Sequence, residues 1–116
     1  VVLNQCTNTL VDLTEKTNEV FHVTFFPDTG DVHMTSTEED SFTGVDETSG
    51  VIYRGHALFW DNLNLNNQNA NFTFTNAIHA TGSDGSMILI HEVGHGTLRP
   101  DGSISVFFDK PSLTCS

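Results

Sequence analysis

From Thr17 to Phe26, Val20, His22, Thr24 and Phe26 alternate with Phe21, Val23 and Phe25. A β-branched and aromatic run of period two predicts a strand covered in part on both faces. Pro27-Asp28-Thr29-Gly30 then reads as a turn, with proline presetting φ and glycine accepting the positive φ that closes it. The chain is expected to reverse into a second strand, Asp31 to Thr37. Residues 1 to 16 read as one edge strand. Ser41 to Gly50 reads as a bulged strand and loop around Phe42 and Val45.

Strand character resumes from Val51 to Leu63, with Ile52, Arg54, His56, Leu58 and Trp60 on one face and Val51, Tyr53, Gly55, Ala57 and Phe59 on the other. The amide-rich run from Asp61 to Asn69 favours turns and reads as an exposed connection. Alternation is cleanest from Ala70 to Ala80, where Phe72, Phe74, Ile78 and Ala80 share a face that Asn76 interrupts. Thr81 to Ser86 and Pro100 to Ser103 are turns around the stretch Met87 to Arg99, and Ile104 to Asp109 is the last alternating run. Strands and turns at this spacing, with no amphipathic helix of ordinary length, predict one all-β domain over residues 1–116. It is an antiparallel barrel or sandwich of about seven or eight strands.

Two cysteines, Cys6 and Cys115, stand near opposite ends of the 116 residues. They are read as a disulfide that closes almost the whole chain, which implies an oxidising, secreted setting. The chain begins at Val1 and has no apolar run of the roughly 20 residues that span a bilayer as a helix, so a processed soluble chain is expected. Fifteen Asp and Glu against four Lys and Arg give a formal net charge of −11. That surface disfavours nucleic acid and anionic membranes as partners. The acidic run Glu38-Glu39-Asp40 reads as a solvated edge.

Candidate chemistry centres on Ile90-His91-Glu92-Val93-Gly94-His95-Gly96, which resembles the active-site helix of the zincin metalloproteases. On a helix the resemblance implies His91 and His95 as zinc ligands and Glu92 as the base that activates a metal-bound water. On a strand the two histidines stand roughly 13 Å apart and Glu92 points away from both. The later glycine and third histidine of the metzincin pattern are missing, since Leu98 and Asp101 stand there. Gly94, Gly96 and Pro100 oppose a helix, so the segment is predicted to be a strand. Ser49-Gly50-Val51-Ile52-Tyr53-Arg54-Gly55 is similar to the glycine-rich strand entry of allene-oxide-cyclase and dirigent-type barrels, and the order of strands and turns resembles small secreted bacterial β proteins.

Six histidines, His22, His33, His56, His79, His91 and His95, are spread over several predicted strands. Of these, His22, His56 and His91, with Trp60 nearby, are the candidates for a ligand site inside a barrel. The resulting expectation is a secreted, non-enzymatic domain that binds a small apolar ligand or serves as a structural or assembly subunit. It would associate into an oligomer or filament through an N-terminal arm, residues 1 to 16, and need no cofactor. The alternatives are a zinc hydrolase and a barrel cyclase or isomerase using Glu92 as its acid or base.

Overall fold

The computed structural model describes residues 1–66 and 69–116, and at positions 105 and 106 the backbone alone. Seven strands form one sheet: β1 (Val2–Asn4), β2 (Thr9–Phe26), β3 (Asp31–Asp46), β4 (Ile52–Leu65), β5 (Ala70–Gly82), β6 (Met87–Leu98) and β7 (Ile104–Cys115). Their order in space is their order in sequence, and every neighbouring pair is antiparallel. The sheet curls into a half-barrel, so the all-β prediction holds.

Several boundaries differ from those expected. Residues 1 to 16 are not one strand. Asn8 takes a positive φ of 58° and Asn8 N donates to Asn4 O, so the chain reverses after β1. Leu3 pairs with Leu10, and the arm folds onto its own sheet. The acidic run lies in the middle of β3 rather than on a solvated edge. Glu38, Asp40, Phe42 and Gly44 face one side and Glu39, Ser41 and Thr43 the other, because β2 and β4 hold β3 in unbroken register on both flanks. Continuous ladders on both sides override weak local propensity. β4 continues through Asn62 and Asn64 to Leu65, so only the end of the amide-rich run is a connection, and its Asn67 and Gln68 lie outside the described residues. β7 passes through Pro111, which an edge strand tolerates because the missing N–H costs no ladder bond there.

Four of the hairpin turns place a glycine at positive φ: Gly30, Gly50, Gly85 and Gly102. In the Ser-Asp-Gly-Ser and Pro-Asp-Gly-Ser turns the aspartate folds back on the chain. Asp84 Oδ1 accepts Ser86 N at 3.0 Å and Asp101 Oδ1 accepts Ser103 N at 2.9 Å. The β3–β4 turn is tied more deeply. The buried Asp46 carboxylate accepts from the Thr9 hydroxyl and from Thr48 N and Ser49 N at 2.9 and 2.8 Å, linking that turn to the start of β2.

The core is small and sits at one end. Among the described residues its buried apolar side chains are Val11, Tyr53, Ala57 and Ala80. Cys6 and Cys115 are bonded, with Cα atoms 5.8 Å apart across 109 positions of sequence, so the first turn is tied to the last strand. Among the described residues the disulfide alone bridges the two margins of the sheet there, and that end is called the closed end; the other end is open, and the whole measures 56 × 27 × 19 Å. Its radius of gyration of 17.9 Å compares with roughly 13 Å for a compact domain of this length.

Two outcomes follow from these ties. Reducing the disulfide should lower unfolding stability by about 4–5 kcal/mol in the chain-entropy account, read as a shift of the urea midpoint with and without reductant. Hydrogen bonds, first from Thr9 and then from Ser49, hold the Asp46 carboxyl below the usual carboxylate range. Its stabilising effect is therefore present above the unfolded-state value near 4 and is lost as pH falls through the lower folded value. Asp46→Asn should lower the melting temperature at pH 7, with the difference from wild type shrinking below about pH 4.

Candidate functional site

Pairing register sorts every strand residue onto one of two faces. One is the core face, carrying Val11, Phe42, Tyr53, Ala57, Ile78, Ala80, Ile88 and Ile90. The outer face carries all six histidines. His22, His56 and His91, expected inside a barrel, thus lie on the outer face. His22 is exposed opposite Thr35, while His56 is exposed opposite His79 and Ser41, so His22 and His56 occupy separate levels of the sheet. Trp60 lies between Thr37 and Thr75 on the same outer face. His56 and His91 do border one open depression of about 640 Å³, together with His79, Glu39, Leu58 and Leu89. Among the described residues no group of three or more His, Cys, Asp or Glu is placed to hold a metal ion.

The zincin-like stretch is β6. His91 and His95 stand four residues apart on the outer face, where His95 Nδ1 meets the Thr73 hydroxyl at 2.9 Å. Glu92 is on the core face, 3.5 Å from Asn76 Nδ2. The two imidazoles and the carboxylate that a helix would gather are therefore separated by the thickness of the sheet. The glycines of the motif have a packing cause. Phe74 lies over Gly94 and Phe72 over Gly96 on the adjacent strand, and a Cβ at either glycine would overlap the ring. Aromatic rings covering cross-strand glycines let a sheet curve without a void.

The core face has three zones. At the closed end, an apolar cleft of about 310 Å³ is walled by β1 and by Val11, Leu13, Phe42, Tyr53, Phe59, Ile78, Ile88 and Ile90. Across the middle, Glu15, Glu19, Glu38, Asp40, Asp61 and Glu92 fall in phase on this face. Partial desolvation, followed by the charge of Asp40, a side-chain hydrogen bond with Asp40 and the charges of Glu19 and Glu15, holds the Glu38 carboxyl above its usual range. At the open end, Phe21, Val23, Phe25, Leu98, Ile104 and Phe107 leave much of their surface to solvent.

Asn4 and Asp40 border the cleft and were missed from sequence. Carrying the alternation of Phe42 and Gly44 two residues back would have put Asp40 on the core face. Asn4 gives no comparable signal, because its position depends on the reversal at Asn8. Comparison of the chain with protein-family models, curated proteins and solved structures finds no match.

Gly94→Ala should destabilise the fold by about 1–3 kcal/mol through overpacking against Phe74. In a double-mutant cycle with Phe74→Ala, the pair should cost less than the sum of the single changes. Because the folded state raises the Glu38 value, its charged form opposes folding from the unfolded-state value upward. Glu38→Gln should therefore raise the melting temperature at pH 7, with the gain vanishing below about pH 4.

Proposed function

We propose that this protein is a secreted, non-enzymatic structural subunit that works by associating with further copies of itself through the open end of its sheet. The observation that carries this reading is surface area. The chain exposes 7585 Å², against about 6,200 Å² for a compact monomer of its mass. The excess, on the order of 1,300 Å², exceeds the roughly 800 Å² that each partner buries in an ordinary stable complex.

The sheet edges support the same reading. Beyond Val11, no described strand pairs with the outer edge of β2, and none pairs with the outer edge of β7. Free edges are usually guarded by charge or proline. Here the guards stand on the closed half alone: Asp12, Glu15, Lys16 and Glu19 on β2, and Asp109, Lys110 and Pro111 on β7. Val20 to Phe26 and Ile104 to Phe108 carry neither charge nor proline. Val20 and Phe25 are 58% and 61% exposed, and the β2 segment is long enough to accept another strand. Association through the N-terminal arm is replaced in this reading, since β1 is paired with β2 and its turn is bonded to Cys115. A disulfide spanning the chain supports an oxidising, extracellular setting.

Sedimentation velocity over a hundredfold range of concentration should give a dimer or larger species. Association should strengthen as salt rises from 0.01 to 0.15 M, because the net charge of −11 sets copies against one another at low screening. Val23→Lys should shift the distribution to monomer with the β spectrum unchanged. Monomer alone at every concentration and salt would overturn the reading.

A further inference from the structure

The cleft at the closed end contains two polar groups that the fold leaves without partners. Asn4 and Asp40 are 6% and 7% exposed, and both line the cleft. Asn4 Oδ1 accepts from Cys6 N at 2.9 Å, which fixes the amide, yet Asn4 Nδ2 has no hydrogen-bond partner among the described residues. Asp40 Oδ1 has none either. Buried polar groups in native proteins are paired with few exceptions, and an unpaired buried carboxylate is the costlier case. Around them the walls are apolar, with Phe42, Tyr53, Ile78 and Ile90 among the lining side chains. The volume, about 310 Å³, lies at the lower end of the range for small-molecule sites.

We propose that this cleft binds a small cationic amphiphile, whose apolar body lies against the aromatic and branched side chains while a protonated nitrogen donates to Asp40. The sign of the charge follows from the surroundings. Glu15 also lines the cleft, Glu38 stands two residues from Asp40 on the same face, and no Lys or Arg is among the lining residues. A carboxylate headgroup would meet repulsion from these groups, whereas an ammonium gains an ion pair in a site with restricted access to water. The free Asn4 Nδ2 adds a donor for an oxygen on the same molecule, such as a hydroxyl beside the amine. The cleft lies at the opposite end of the sheet from Val20–Phe26, so the proposal does not depend on self-association.

Three ten-carbon probes separate the possibilities: decylamine, decan-1-ol and decanoate, each titrated below its micelle concentration or, for the alcohol, its solubility limit into the disulfide-intact protein by calorimetry. The methyl resonances of Ala57, Ile78 and Ala80 report the location. Decylamine should bind saturably, at least tenfold more tightly than decanoate, and shift those methyls. Asp40→Asn should abolish the preference for amine over alcohol while leaving the ligand-free melting temperature equal or higher, because it removes a buried charge whose Oδ1 has no partner and whose neighbour is a second carboxyl, Glu38. A residue with only a structural role would instead lower that temperature. Absence of saturable binding by decylamine, a decanoate affinity equal to that of the amine, or an amine preference that survives Asp40→Asn would each overturn the proposal.

Discussion

A single sheet can bury its apolar face without a second layer only by curling over it, and here that curl is fixed by one covalent tie, Cys6 to Cys115. Where the tie acts, β1 pairs with β2 and walls the cleft, Val11, Tyr53 and Ala80 are buried, and the Asp46 network joins the β3–β4 turn to β2. At the other end no such tie exists and the strands carry phenylalanines into solvent. The contrast between a covered and an uncovered end of one continuous apolar face governs the cleft, the free edges and the proposed association. Large contiguous patches of exposed hydrophobic surface mark sites of interaction.

Period-two alternation was the legible part of the sequence. It placed Tyr53 and Ala57 opposite His56 and Leu58, and Phe72 opposite Thr73, and the register agrees with each assignment. Turn chemistry was legible as well, because Pro-Asp-Thr-Gly and Ser-Asp-Gly-Ser carry glycine where the backbone requires positive φ. Strand ends were less so. Glu38 to Ser41 and Asn62 to Leu65 are weak strand formers and are extended because neighbours pair with them on both sides, a cause that no local window contains. Which face curls inward is likewise a property of the assembled sheet. His22, His56 and His91, offered for a barrel interior, lie on the outer face of that sheet.

The β6 stretch shows how a catalytic signature can arise from packing. Alternation places His91 and His95 on the outer face, and two phenylalanines on β5 require glycine at 94 and 96. With Glu92 opposite Asn76, the letters of a metalloprotease helix are reproduced by a strand whose constraints are steric. Gly94 beneath a ring is the residue that separates the two interpretations, since a helix gains nothing from it.

Joining Cys6 to Cys115 also gives residues 6–115 the connectivity of a ring. The exposed hairpin tips are where a protease would act on such a sheet. One cut at any of the tips between β2 and β7 opens the ring but severs nothing, because both pieces remain bonded through sulfur and paired across strands. Release of a fragment requires a second cut or a reductant, so while the disulfide is intact the molecule tolerates a single nick at any of those turns without losing mass.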